Sequence, residues 1–271
     1  MSIDRRTLLR QAMWAWMGGI AACGCRSAPM TGRKQLLLVP EDQELSLGAE
    51  AYGEMMGEEP PSSNARWTQM VQRVGQRIAD KAQRSDYEWE FRLVASPTQN
   101  AFCLPGGKVA IYEGILPICA NEAGLAVVMS HEVAHALARH GGERMSQNMA
   151  VDQTKQAINF VLRKQDQTKR DLLMQAYGIS TEYGVLLPYS RKQESEADHI
   201  GLMLMSQAGY DPNEAPGFWE RFGGVGGDKP PEFMSTHPSD DRRAADLRAL
   251  LPEATDKYAA AAQQFGAGEP I

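Results

Sequence analysis

His131-Glu132-Val133-Ala134-His135 lies within an alanine-rich, proline-free stretch, residues 123–140 (AGLAVVMSHEVAHALARH), that predicts one continuous helix. Positions four apart share one face of a helix, so the His131 and His135 imidazoles can bind a single metal ion. Glu132 projects beside them and can hold a water molecule instead of the metal. Taken alone, the stretch is also compatible with a surface helix that carries two histidines around a glutamate without function.

A catalytic zinc site takes three protein ligands and keeps one position open. One class of zinc site continues His-x-x-Gly-x-x-His, but Ala138 and Gly141 stand here at the glycine and final histidine positions. The remaining candidate is Glu194, in a later predicted helix, with Asp198 one turn further along the same face. We therefore expect Glu194 to bind the metal and Asp198 to accept a hydrogen bond from a ligand histidine, which fixes its tautomer.

The first 22 residues have the order of an export signal. Arg5-Arg6 precedes a mostly apolar run, Leu8 to Ala22, which is too short to span a membrane as a helix. The run ends in Ile20-Ala21-Ala22-Cys23, which resembles a bacterial lipobox, whose cysteine becomes the lipidated first residue. Residues 1–22 are thus predicted to be a lipoprotein signal peptide and Cys23 the lipidation site, with Cys25 a weaker acceptor. A short buried helix is the alternative, and the arginine pair leaves general secretory and twin-arginine export both open.

Residues 23–34 are predicted to form a lipid anchor and linker, and residues 35–271 one domain. Gly24, and not an aspartate, follows the acceptor cysteine, which favours a periplasmic location with the lipid in the outer membrane. The net charge of −6 becomes −8 when three arginines and one aspartate leave with residues 1–22. This acidic balance argues against nucleic-acid binding and against a polybasic membrane patch, so the lipid is the expected membrane anchor.

Helices are predicted over residues 43–56 and 64–83, and strands over residues 89–94 and 108–112. From Glu122 onward the pattern is helical, and no internal repeat is present. The sequence therefore predicts one α+β domain, mostly helical, with a small sheet.

Cys103 and Cys119 are the cysteines outside the signal junction. Two small buried thiols are favoured, although an oxidising compartment would permit them to pair. Spacing along the chain leaves that choice open, because a disulfide requires a specific geometry.

Four segments occur in the order found in a family of zinc peptidases. They are residues 100–107 (NAFCLPGG), 125–145 (LAVVMSHEVAHALARHGGERM), 189–201 (YSRKQESEADHIG) and 236–239 (THPS), the last followed by Arg243. They resemble the family of the CaaX prenyl proteases, HtpX, the mitochondrial protease OMA and the periplasmic proteases BepA and LoiP. A compact lipoprotein of the LoiP type fits best, because the chain lacks hydrophobic segments for a multi-spanning body and length for a repeat domain. Cys103 departs from the pattern, where a small apolar residue is usual, and puts a thiol beside the substrate strand.

The resemblance implies a gluzincin-type metallopeptidase domain over residues 35–271, with the small sheet beside the active-site helix. It implies one zinc ion per chain, held by His131, His135 and Glu194, and Glu132 as the general base that activates water. We expect an extended substrate backbone to pair with the strand that contains Gly107, Lys108, Val109, Ala110 and Ile111.

The histidine of the His-Pro motif lies near the metal in this family, which implies a role for His237. It could stabilise the oxyanion, or it could occupy the open zinc position as a latch, that is, as a fourth ligand that excludes water. A histidine at the start of a helix, without chemistry, is the alternative. His140, His199 and Glu196 are expected to be structural.

These features predict a zinc-dependent endopeptidase that cleaves internal peptide bonds of periplasmic or outer-membrane proteins in quality control. Its expected partners are polypeptides, misfolded envelope proteins among them. The alternative is an envelope chaperone or assembly scaffold whose latched zinc site is rarely active. The sequence leaves the physiological substrate, the cleavage preference and the oligomeric state open.

Overall fold

The structure is a computed structural model that describes residues 25–162, 167–168, 174–175, 187–224, 233, 237 and 242–271. The predicted signal peptide and lipidation site, residues 1–22 and Cys23, lie outside the described residues. The helices of the described part are α1 Glu41–Glu58, α2 Ala65–Ala79, α3 Leu116–Cys119, α4 Glu122–Leu137, α5 His140–Leu162, α6 Leu187–Gln207, α7 Glu214–Gly223 and α8 Arg243–Ala259.

Two small sheets accompany the helices. An N-terminal hairpin pairs β1 (Cys25–Ser27) with β2 (Lys34–Leu36) in antiparallel fashion. A three-stranded sheet has the order β3 (Glu90–Val94), β5 (Lys108–Tyr112), β4 (Ala101–Leu104), with β5 parallel to β3 and antiparallel to β4. The prediction of a mostly helical α+β domain is confirmed.

Helix α4 is the centre of the core. Every residue from Glu122 to Leu137 is buried, the polar residues of the metal-binding motif included, so this helix lies inside the core. The Asn121 side chain starts the helix by accepting a hydrogen bond from the Gly124 N–H at 2.9 Å. The end of the chain also holds this start, because Ile271 N donates to Ala120 O at 3.0 Å and Glu122 N donates to Glu269 O at 2.9 Å.

Helix α2 packs on α4 through apolar residues that recur at helical spacing. Met70, Val71, Val74 and Ile78 are all buried in the main core cluster. Asn64 caps the helix by accepting from Trp67 N at 3.1 Å. The observed helix ends at Ala79, four residues before the predicted end.

The hairpin changes the interpretation of the N-terminal segment. Residues 25–34 were expected to belong to a linker, but they form β1, the turn and the start of β2, and Arg33 reaches Glu143 and Glu196 in the helical part. Within the described residues, no helix combines the length and the apolar character that crossing a bilayer requires.

Candidate metal centre

Helix α4 brings its two histidines to one point in the interior. The Nε2 atoms of His131 and His135 lie 3.1 Å apart, and both residues are buried. Their spacing of one helical turn therefore places both imidazoles where they can bind one ion, as the sequence predicts.

Helix α6 adds Glu194 to this pair. Its carboxylate oxygens lie 3.3 Å from His131 Nε2 and 3.4 Å from His135 Nε2. The approach of α6 to α4 depends on Gly201, since a Cβ at this position would lie 3.0 Å from the backbone nitrogen of His131. A side chain there would separate the two helices that carry the three groups.

His237 completes a cluster of four. Its Nδ1 atom lies 3.3 Å from His131 Nε2 and 3.1 Å from Glu194 Oε2, and its ring stacks on Phe233 with a centroid separation of 4.5 Å. One atom from each of His131, His135, Glu194 and His237 lies within 4.8 Å of the other three. The structure thus brings all four predicted groups together.

Glu132 lies at the edge of this cluster. It is buried, and its Oε1 atom is 3.4 Å from His237 Nε2, while no group in the described residues donates a hydrogen bond to that oxygen. Burial raises the pKa of the Glu132 carboxyl, and the nearby His237 and His131 oppose that rise. A buried carboxylate oxygen without a donor is suited to receive a proton from a bound water molecule.

Asp198 contacts the ring of His131. Its Oδ1 atom lies 3.0 Å from His131 Nδ1, the ring nitrogen on the side away from the cluster. Arg243 donates to the same oxygen at 2.6 Å, and its guanidinium lies over the Trp219 ring at 3.3 Å. The sequence marked Arg243 only as part of a motif, whereas here it fixes the carboxylate that holds a histidine.

The charges around the cluster fit a divalent cation. Three carboxylates, from Glu132, Glu194 and Asp198, face one guanidinium, that of Arg243, and all four side chains are at most 10% exposed. When the histidines are neutral, as metal binding requires, two negative charges are left without a cationic partner in a region poor in solvent, which is costly unless a cation of charge two compensates them. Two imidazoles with one carboxylate are also a donor set that zinc prefers.

The protonation of the histidines follows from their surroundings. Burial lowers the pKa of His135 well below its usual range, so this ring is neutral, which is the form that binds metals. Burial and Arg243 would also lower the pKa of His131, but its hydrogen bonds to Asp198 and Glu194 raise it to about 9. The carboxylates of Asp198 and Glu194 therefore strongly favour a positive charge beside them.

The predicted substrate strand is wrong. Gly107 to Ile111 were expected to pair with a substrate, but β5 is the central strand, with β3 on one side and β4 on the other. Its backbone hydrogen-bonding groups are occupied on both sides, so Lys108, Val109, Ala110 and Ile111 have no open edge. In the described part of the chain, the open edge of this sheet on the β4 side belongs to Ala101–Leu104.

The remaining candidates have simpler outcomes. Cys103 and Cys119 are both free thiols, Cys119 fully buried and Cys103 partly. His199 is 35% exposed at its side chain and lies 3.9 Å from Glu253. His140 and Glu196, which were also expected to be structural, contact each other at 2.9 Å, and His140 lies 2.8 Å from His135.

Comparison with known proteins agrees with this geometry. The model of peptidase family M48 matches residues 65–251. The chain belongs to peptidase family M48. The family resemblance, the endopeptidase activity and zinc as the cofactor are thereby confirmed: this M48 chain is a zinc metalloendopeptidase.

Similarity to individual M48 relatives extends over most of the chain. The mitochondrial metalloendopeptidase OMA1 of Schizosaccharomyces pombe is 42% identical over 234 residues, which are 84% of this chain and 67% of the relative. Metalloendopeptidase OMA1 of Homo sapiens is 32% identical over 242 residues, 84% of this chain and 46% of the relative. The β-barrel assembly-enhancing protease of Escherichia coli is 26% identical over 236 residues, 83% of this chain and 48% of the relative.

These relatives correct the predicted location. Enzymes from two yeasts, a plant and human that match this M48 chain are named as mitochondrial. The expectation of a periplasmic, outer-membrane location is therefore wrong. The LoiP-type resemblance and the lipidation of Cys23 stay predictions.

Proposed function

We propose that this M48 enzyme cleaves internal bonds of unfolded protein segments, which it binds in extended form along the open edge of β4. The observation that carries the proposal is the buried cluster of His131, His135 and Glu194 with Glu132 beside it and an unpaired strand edge nearby. Folded proteins seldom offer an extended segment with free backbone groups, so this mode of binding selects misfolded or partly unfolded substrates. A role in protein quality control follows from that selection.

His131, His135 and Glu194 would hold the zinc ion. When bound, zinc polarises the scissile carbonyl and lowers the pKa of water. Glu132 accepts the proton of the attacking water on its free Oε1 atom and delivers it to the leaving amine. Asp198, held by Arg243, keeps the His131 ring in one tautomer throughout.

The register of β4 supports substrate pairing at Cys103. Tyr112 N donates to Asn100 O at 3.1 Å, so residue 100 forms a hydrogen-bonded pair with β5, and alternation makes residues 102 and 104 do the same. The N–H and C=O groups of residue 103 therefore point away from β5. Strand β4 packs against α4, the helix that carries Glu132. Burial and then the charge of Glu132 raise the pKa of the Cys103 thiol.

Blocked peptides test this proposal. A peptide that is acetylated at its N-terminus and amidated at its C-terminus should be cut at internal bonds. Methylation of single backbone nitrogens near the scissile bond should slow cleavage at alternate positions, because a strand pairs through every second residue. Release of single terminal residues, or cleavage that is indifferent to N-methylation at every position, would contradict the proposal.

A latched state is the second candidate, and the position of His237 favours it. Its Nδ1 atom lies as near to His131 and Glu194 as the other candidate ligands do, so it can serve as a fourth ligand in place of water. An enzyme in that state would bind unfolded proteins and cleave few of them. Activity of the native chain compared with that of His237→Ala on the same unfolded substrate, such as casein, separates a latched enzyme from an open one.

A further inference from the structure

A second polar cluster lies behind the metal centre, on the far side of His135. His140 Nδ1 is 2.8 Å from His135 Nδ1, and the other nitrogen of the same ring, Nε2, is 2.9 Å from Glu196 Oε2. The His140 side chain is fully buried and that of Glu196 is 4% exposed. Both rings therefore have fixed partners at both nitrogens.

The direction of these hydrogen bonds follows from metal binding at the front of His135. A neutral ligand histidine that presents Nε2 to the metal carries its proton on Nδ1, so His135 donates to His140 Nδ1. His140 must then carry its own proton on Nε2, and it donates this proton to the Glu196 carboxylate. The chain of bonds runs in one direction, from the ligand through a second imidazole to a carboxylate.

Arg33, from the N-terminal hairpin, holds the far end of this chain. Its Nε atom donates to Glu196 Oε2 at 2.7 Å, and its terminal nitrogens donate to Glu143 at 2.9 and 2.7 Å. The Thr31 hydroxyl also donates to Glu196. One guanidinium thus connects a carboxylate of α6 with a carboxylate of α5, and both are almost fully buried.

We propose that His140 is a positioning residue for His135, and that Arg33 maintains this role by fixing Glu196. The arrangement sets the tautomer and the ring plane of His135 and increases its basicity as a ligand, as carboxylate partners of metal-bound histidines do. It makes the hairpin around Arg33 a part of the metal centre. The inference deepens the proposed function and rests on His135 being a zinc ligand.

Zinc affinity, measured by competition with a chromophoric chelator, tests the inference without any peptidase assay. His140→Phe replaces the imidazole by a slightly larger apolar ring and removes both nitrogens, and it should weaken zinc binding by about 10–100-fold. Glu196→Gln and Arg33→Ala should each weaken it in the same direction. The absorption spectrum of the Co²⁺-substituted protein should also change in all three variants, because the spectrum reports ligand geometry.

Glu122→Gln is the matched control. Glu122 is also a buried carboxylate, with a side chain 4% exposed, and it is held by two arginines, Arg73 and Arg77, at the start of α4. It has no contact with the cluster behind His135. This control should show any loss of stability that follows from altering a buried ion pair while zinc affinity and the Co²⁺ spectrum stay native.

The link to the hairpin is tested by combining His140→Phe with Arg33→Ala. If Arg33 acts through His140, the double variant binds zinc no more weakly than His140→Phe alone, whereas independent effects would multiply. Multiplied effects would overturn the role of Arg33.

Glu196→Gln is nearly isosteric and serves where His140→Phe fails to fold, as judged by circular dichroism. Native zinc affinity in either folded variant would overturn the positioning role, while tight zinc binding without peptide cleavage in the native chain would overturn the proposed function alone.

Discussion

Replacing Gly201 by alanine tests whether the close packing of α6 on α4 sets the distance between the metal-binding groups. The added Cβ would lie 3.0 Å from His131 N and 3.1 Å from His131 Cα and Ser130 C. These are backbone atoms within a buried helix, so no side-chain rotation can relieve the contact. The helix that carries Glu194 must therefore shift outward.

Two opposing contributions determine how much the free energy of unfolding changes in Gly201→Ala. Alanine is favoured over glycine within a helix by about 1 kcal/mol. Overpacking a well-packed core costs about 1–3 kcal/mol. The free energy of unfolding of Gly201→Ala should therefore fall by about 0–2 kcal/mol, which lowers Tm by up to about 8 °C for a domain of this size. If about 1.4 kcal/mol of the strain is borne by the metal centre, zinc affinity falls about tenfold.

Gly53→Ala is the control for the helix-propensity term. Gly53 lies in α1, is exposed, and has no atom within 4 Å of an added Cβ. This variant should gain up to about 1 kcal/mol in the free energy of unfolding and bind zinc like the native chain. Urea unfolding and chelator competition on both variants complete the assay. A Gly201→Ala variant that gains stability as Gly53→Ala does, with native zinc affinity, would refute the reasoning.

Three further changes have defined outcomes. Glu194→Ala should retain little zinc in metal analysis, because only two of the proposed ligands remain on the helices, and full occupancy would remove Glu194 from the site. His237→Ala should raise basal cleavage if His237 is a latch and reduce it with zinc retained if His237 assists the transition state. Loss of zinc as severe as in His131→Ala would instead make His237 a structural ligand. Cys23→Ser should abolish incorporation of labelled lipid while Cys25→Ser leaves it intact, and labelling that persists in Cys23→Ser would reassign the processing site.

Helical spacing predicted that His131 and His135 can bind one ion, and the family resemblance implied that Glu194 joins them. His131, His135, Glu194 and Asp198 lie on two helices, and each pair one turn apart shares a face, so local periodicity already determines which side chains can meet. The structure adds only the approach of the two helices, which Gly201 permits.

The parts that the sequence did not predict depend on contacts between distant segments. The order of the three strands decides that β4, and not β5, has the open edge, and a four-residue strand with no clear alternation gives little warning of that order. Arg33 meets Glu196 across 163 positions of the chain, so no local pattern signals that His140 has a partner. Both facts follow from packing that periodicity does not encode.

The central claim, that a zinc ion held by His131, His135 and Glu194 works with Glu132 as the base, is tested most directly by Glu132→Gln. Glutamine has nearly the same shape as glutamate, but it does not accept the proton of water at neutral pH. The account predicts one zinc per chain and native stability in this variant, with cleavage of casein slowed by about 10²–10⁴-fold. Unchanged turnover with zinc bound would contradict it.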